Sequence, residues 1–192
     1  MNRYISDLHF GHANILKFDN RPFRNTEEME TALIENWNST VSAGDTTYIL
    51  GDFCWGKEPD WKRIVPLLNG NKVLIRGNHD LKEMTSSLKK MFQDIKDYKE
   101  ITDGGRHVIM CHYPMLLYKS SYNPDCYMLC GHVHTTREND FLNKWRAELK
   151  NSRSLNSHSC GNIINVGCML PYMGYTCLLY TSDAADDLIG LD

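Results

Sequence analysis

The chain has 192 residues, with 21 lysines and arginines against 24 aspartates and glutamates, and a formal net charge of -3. That balance holds no basic excess of the kind that announces a nucleic-acid binder, and no apolar stretch approaches the roughly 18 residues of a membrane span. The start of the chain carries no charged region followed by an apolar one, so a cytoplasmic setting is expected; the seven cysteines, without a C-x-x-C pair, read as reduced and mostly buried thiols.

In chain order, Tyr4-Ile5-Ser6 is a short apolar run that stops at Asp7 and His9. Asn25-Thr26-Glu27-Glu28 then reads as an N-cap with an acid at N3. Behind it Met29, Leu33, Ile34, Trp37 and Val41 fall at helical spacing, which predicts a helix over about residues 26–41. Tyr48-Ile49-Leu50-Gly51 leads to Asp52, a short helix is expected over residues 60–68, and Val73-Leu74-Ile75-Arg76-Gly77 leads to Asn78 and His79. Met84, Leu88 and Met91 predict a further helix over residues 81–92. Strands near residues 95–101 and 107–111, separated by Asp103-Gly104-Gly105, read as a hairpin. The second of these strands stops at His112, and the run Tyr127-Met128-Leu129-Cys130-Gly131 stops at His132 and His134. Residues 135–161 read as a polar insertion, in which Phe141, Leu142, Trp145 and Leu149 line one face of a helix.

Strand, helix, strand alternation in the first half argues for parallel pairing, and in open α/β sheets ligands gather outside the carboxyl ends of strands. The runs therefore predict one site built from five strand ends. Its side chains are imidazoles, carboxylates and a carboxamide, which suit a hard to borderline divalent metal rather than a thiolate zinc site. Singly the signals are weak, since a D-x-H triplet arises by chance in roughly one chain in five of this length. Gly77-Asn78-His79-Asp80 is far more specific. Alternate residues of an extended segment point to opposite sides, so His132 and His134 share a site only if the chain turns there or two metals lie on either side.

Taken together and in order, Asp7-Leu8-His9, Gly51-Asp52, Gly77-Asn78-His79-Asp80, His112 and Gly131-His132-Val133-His134 resemble the motif series of the calcineurin-like metallophosphoesterases, over about residues 1–134. The chain is most similar to small bacterial and phage members whose first motif reads D-x-H-F-G-H, matched from Asp7 to His12; it departs from the family where Phe53-Cys54-Trp55 follows the G-D motif. The resemblance implies an α/β fold of two packed mixed β-sheets flanked by helices. It implies a hydrolase that cleaves a phosphomonoester or phosphodiester with two divalent metal ions. Asp7, His9 and His134 would hold one ion and Asn78, His112 and His132 the other, with Asp52 bridging both. The nucleophile would be a metal-bridging hydroxide. His79 would be the non-ligand histidine that stabilises developing charge or protonates the leaving oxygen, and Asp80 would orient it. Manganese is the first expectation for the metal, with Fe, Zn and Ni also suited to these ligands. The implied partner is a phosphorylated small molecule or nucleotide. The competing reading is a non-catalytic metal-binding scaffold on the same fold, which would tolerate decay of a ligand set that is complete here.

His12 and Arg21 follow the first motif closely enough to contact substrate phosphate, Arg21 through a bidentate fork; the alternative places Arg21-Pro22-Phe23-Arg24 in an exposed turn and His12 in loop packing. Trp55, Tyr113, Tyr118, Tyr122 and Tyr172 are candidates to wall a base or sugar pocket, against core or rim packing. After Asn165-Val166-Gly167, which resembles the family's late strand motif, residues 177–187 resemble a translated transposon-type sequencing adapter. A single metallophosphoesterase domain is thus expected over residues 1–176, with residues 177–192 a tail outside the natural sequence. The alternative is an authentic strand over residues 177–181 followed by an acidic tail.

Overall fold

A computed structural model of the chain describes residues 1–151 and 160–179. The apolar runs are strands: β1 (Asn2–Ile5), β2 (Thr46–Ile49), β3 (Asn71–Ile75), β4 (Asp94–Lys96), β5 (Tyr98–Asp103), β6 (Arg106–Cys111), β7 (Cys126–Cys130), β8 (Ile163–Asn165) and β9 (Leu178–Leu179). They form two mixed sheets, ordered β4-β3-β2-β1-β9 and β5-β6-β7-β8. β1 to β4 pair in parallel, with Tyr4 opposite Tyr48 and Tyr48 opposite Val73, and β9 runs antiparallel to β1. In the second sheet β5 is antiparallel to β6, whereas β6, β7 and β8 are parallel.

Period-two alternation decides which side chains meet. Val108, Met110, Tyr127 and Leu129 share a core with Tyr4 and Val73, and the Tyr4 hydroxyl reaches Asp103 of β5, while Ile109, Cys126, Met128 and Cys130 face outward under a helix. Both faces of β6 and β7 are therefore dry, which is why they read as unbroken apolar runs. The helices are α1 (Ile15–Phe18), α2 (Thr26–Thr40), α3 (Glu58–Ile64), α4 (Ser86–Lys89) and α5 (Arg137–Asn151). α2 starts where expected because the Asn25 side chain accepts from the Glu28 N–H at 2.9 Å, and it buries Met29, Leu33 and Trp37. α5 covers the outer face of the second sheet with Leu142 and Trp145, whereas Phe141, expected on that face, is exposed.

Other local expectations are corrected. The helix foreseen over residues 81–92 is only the single turn of α4, because Thr85 caps it by accepting from Leu88 N–H and is itself held to the Glu58 carboxylate. The helix foreseen over residues 60–68 begins at Glu58 and ends at Ile64, where Pro66 turns the chain into a 3-10 segment at Val65–Leu67. Residues 95–101 are two strands rather than one: the chain changes sheet at Asp97, whose carboxylate accepts both Nε and Nη2 of Arg76 at 2.8 and 2.9 Å. The hairpin is β5–β6, closed by Gly104 and Gly105 at φ 55° and 83°, the paired left-handed residues of a type I′ turn.

Cys177 is buried and Leu178–Leu179 form β9; residues 180–192, the rest of the expected tail, lie outside the described residues, as do residues 152–159 of the insertion. All seven cysteines are free and five are buried. Among the described residues no helix is long and apolar enough to cross a membrane.

The two sheets meet along β1 and β8. Ser6 N–H donates to Val166 O at 2.8 Å and Cys168 N–H to Ser6 O at 3.0 Å. This seam brings the carboxyl ends of β1, β2, β6 and β7 to one place.

Candidate metal centre

The residues that follow those strand ends converge. Nitrogen or oxygen atoms of Asp7, His9, Asp52 and His134 lie within 4.8 Å of one another, as do those of Asp52, His112 and His132. Asp52 is common to both groups. His9 Nε2 and His112 Nε2 each stand 3.6 Å from Asp52 Oδ2, His134 Nε2 stands 3.6 Å from Asp7 Oδ1, and His9 Nε2 stands 3.4 Å from His134 Nε2. Two atoms bound at about 2.1 Å to one cation are separated by roughly 3.0–3.4 Å at octahedral to tetrahedral angles, so these spacings suit donors that share ions.

Convergence depends on backbone that side chains rarely adopt. Asp7, His9, Asp52, His132 and His134 have φ of 57°, 51°, 52°, 71° and 45°. Left-handed residues at both ends of D-x-H and of H-x-H turn the chain at each motif, and His134 and His132 each join one of the two groups that share Asp52. Each such residue costs on the order of 1 kcal/mol or more, and a cost repeated at five donors is supported by the packing beneath them. The motif glycines supply room: a Cβ on Gly77 would lie 2.6 Å from Asp52 N, and one on Gly51 would lie 2.5 Å from His112 Nδ1.

The imidazoles are held by different surroundings. Burial, reinforced by His134 and Arg21, pushes His9 down to about 2, so its ring is neutral near pH 7. His112 Nδ1–H donates to Leu50 O at 2.7 Å, which turns Nε2 toward Asn78 Oδ1 at 2.9 Å. His134 Nδ1–H donates to Asp19 Oδ1 at 2.8 Å, leaving its Nε2 toward Asp7. Burial opposes protonation of His134, but the Asp19 bond and the Asp7 charge outweigh it and raise that imidazole above its ordinary value. Burial and neighbouring His112 lower His132. The Asp7 carboxylate accepts from Ser6 Oγ at 2.7 Å and from His132 N–H at 3.1 Å.

His79 and Asp80 separate. His79 is exposed, its N–H donates to Asp52 Oδ1 at 2.9 Å, and its ring centroid is 5.7 Å from that of His9 and 4.9 Å from that of Trp55. Asp80 does not bond the His79 ring, as its expected orienting role requires. Its Oδ2 accepts from Gly77 N–H at 2.7 Å and Asp52 N–H at 3.1 Å, and its Oδ1 from Phe53 N–H at 2.8 Å. It ties the Gly-Asp loop to the Gly-Asn-His-Asp loop. Burial, with the Asp52 charge adding to it and the N–H bonds opposing it, raises Asp80 to about 6.

Arg21 is neither exposed nor open to phosphate. It is 4% exposed, its Nη1 donates to Leu8 O at 2.9 Å, its Nη2 to Asp7 O at 2.7 Å, and its Nε and Nη2 to Asp19 Oδ2 at 3.0 and 2.9 Å. Arg21 thus clamps the strained D-x-H turn and fixes Asp19, a residue that motif reading missed because its partner His134 is 115 positions away. Asp19→Ala is expected to free the His134 ring and weaken binding of the first cation about 10- to 100-fold, by analogy with other partners of metal-ligating histidines; competition titration with a chelating dye reads this without turnover.

His12 is buried and stacked on Trp55 at 4.0 Å and 10°, while Trp55 itself is half exposed. Tyr118 and Tyr172 are packing residues whose hydroxyls donate to Asn162 O and Asn165 O. Tyr122 is exposed, and Tyr113 packs edge-on against His112 and His132.

Comparison with known proteins agrees with this geometry. A model of the calcineurin-like phosphoesterase superfamily domain matches residues 3–167. An uncharacterized protein of Methanocaldococcus jannaschii is 38% identical over 151 residues, covering 76% of this chain and 77% of that protein. The Gene 66 protein of Mycobacterium phage L5 is 28% identical over 129 residues, covering 58% and 62%. Among solved structures, a protein of unknown function from Aquifex aeolicus superposes with a TM-score of 0.65 at 27% identity, over 93% of this chain and 94% of that one. With its ordered motifs brought to one seam between two sheets and its length matched almost throughout, the chain belongs to the calcineurin-like phosphoesterase superfamily.

Proposed function

We propose that the protein hydrolyses a phosphoester at a centre of two divalent cations. The observation that carries this reading is the position of Asp52, one buried carboxylate common to two groups of donors. Asp7, His9, His134 and Asp52 would hold one cation; Asn78, His112, His132 and Asp52 would hold the other. When bound, the pair would supply Lewis acidity toward a water and toward the phosphoryl oxygens. Manganese is the first choice for a mixed carboxylate, carboxamide and imidazole set, and Fe, Zn and Ni suit the same donors.

The chain's own part is to place charge and to move a proton. Asp52 and Asp7 set two negative charges against the cations. His79, exposed beside Asp52 and outside both donor groups, is positioned to give a proton from its ring to the departing alkoxide oxygen. His79→Ala is therefore expected to lower kcat about 100-fold or more while bound metal stays at the wild-type level; loss of metal together with activity would place His79 among the ligands instead. A reducing cytoplasmic compartment is the setting we assign, supported by seven free thiols.

The test of the whole reading is turnover of bis-p-nitrophenyl phosphate and p-nitrophenyl phosphate, abolished by a chelator and restored by Mn(II). No release from either substrate with Mn(II) or Ni(II), in folded and metal-loaded protein, would overturn it in favour of a scaffold.

A further inference from the structure

Beside the second donor group lies a cleft of about 390 Å³ walled by Arg76, Gly77, Leu81, Lys82, Cys111 and Tyr113, with the carboxyl groups of Asp80 and Asp97 also on its lining. Its place follows from the chain: Gly77 precedes Asn78 and Cys111 precedes His112, so two of its walls continue directly into residues of that group. The volume lies within the range of roughly 300–1,000 Å³ typical of small-ligand sites.

Resting on the phosphoesterase reading, we propose that the alcohol part of the substrate ester is a nucleoside, and that its base lies in this cleft against Tyr113. Tyr113 is 47% exposed although its ring packs on His112 and His132 at centroid distances of 5.1 and 4.7 Å. An aromatic ring anchored at one side and open at another is a stacking platform, and a flat base covers such a ring without needing a new pocket. Trp55, the other half-exposed ring at the centre, already spends one face on His12. Leu81 adds aliphatic wall, which favours a planar heterocycle over a bare sugar or a second phosphate.

The polar groups of the cleft point the same way. Arg76 is held by Asp97 through Nε and Nη2, so its charge is offset while the pair presents donors and acceptors side by side, as a base edge does. Lys82 has no ion-pair partner among the described residues and contributes one exposed cation. With Arg76 paired to Asp97 and the Asp80 carboxylate also on the lining, the cleft holds no row of free cations, which suits a mononucleotide unit rather than the tracked backbone of a nucleic acid.

The experiment is calorimetric titration of the Mn(II)-loaded protein with adenosine 5′-monophosphate and with methyl phosphate, alongside bis-p-nitrophenyl phosphate turnover. The expected result is that the nucleotide binds about tenfold or more tightly than methyl phosphate, a difference typical of one stacked base. Tyr113→Ala should weaken the nucleotide about tenfold more than methyl phosphate, and Tyr113→Phe should restore the preference. Metal content and melting temperature of each variant exclude a damaged fold. Equal binding of the two probes by the wild type, or equal weakening of both by Tyr113→Ala, overturns the proposal, since Tyr113 would then act only by supporting His112 and His132. Turnover without nucleotide preference removes the cleft and leaves the phosphoesterase; nucleotide preference without turnover does the reverse.

Discussion

Asp52→Asn should bind well under one divalent cation per chain at a metal concentration that saturates the wild type, with affinity at both positions down by more than about 100-fold. The cause is loss of the one negative charge that both donor groups share. Asp52 Oδ2 stands 3.6 Å from His9 Nε2 and from His112 Nε2, and its Oδ1 accepts from His79 N–H at 2.9 Å. Asparagine keeps the shape but fails in either orientation. If its oxygen accepts from His79, its NH2 group points into the convergence of the two imidazoles; if it is flipped, NH2 faces the His79 N–H. Two cations close together repel, and are tolerable only with an anion between them, so both positions should suffer. Asp7→Asn, by contrast, removes charge from one group and should empty one position first. Elemental analysis of dialysed protein reads both variants, and full retention of two cations by Asp52→Asn would remove the shared-carboxylate assignment.

The donors were legible in the sequence for a specific reason. Each follows a strand buried on both faces, so the apolar run marks its own end, and the residue after that end is the first one free to do chemistry. Strand and helix alternation also argued for parallel pairing in the first half, whereas the arrangement in two packed sheets came from the family resemblance. What supports the donors was not legible. Asp19 and Arg21 sit in a loop without periodicity, and their partners, His134 and the carbonyls of Asp7 and Leu8, are joined to them only by the fold. A buried Arg that binds carbonyls and an exposed Arg that binds phosphate have the same sequence. The turn at His132 and His134 was an open alternative that only φ could decide. Periodicity also overran residues 81–92: Met84 and Leu88 are buried, but the Thr85 cap and the Glu58 contact hold residues 81–85 out of helix. Spacing reports which side chains are covered, and here a loop covered them.

Asp80 is the residue whose role changed most, and its removal should have the largest effect on stability. The side chain satisfies three main-chain N–H groups, those of Gly77, Asp52 and Phe53, in a site that is 6% exposed. Asp80→Ala leaves all three without an acceptor. At about 1–3 kcal/mol for each buried polar group left unpaired, less what entering water recovers, the loss should reach about 3 kcal/mol or more. That corresponds to a fall in Tm of roughly 6–12 °C for a chain of this size. Asp80→Asn should not rescue it fully, because one of its two polar atoms becomes a donor facing an N–H. The penalty should also depend on pH in metal-free protein. Burial raises the folded-state value of Asp80 to about 6 from an ordinary 3.8, so the folded state binds the proton more tightly than the unfolded state. The contribution of Asp80 is then fullest below the ordinary value and declines as pH rises through about 6. The difference between wild type and Asp80→Ala should accordingly be larger at pH 5 than at pH 8. A difference that is flat, or that grows with pH, would show that the carboxylate is charged in the fold throughout and that the three N–H bonds outweigh burial. Metal binding next to Asp52 should move the wild type in that same direction, since cations beside a buried carboxyl favour its charged form. A variant that keeps the wild-type Tm would mean instead that the two loops hold each other without Asp80, and that Gly77 and Asp52 are fixed by their close approach alone.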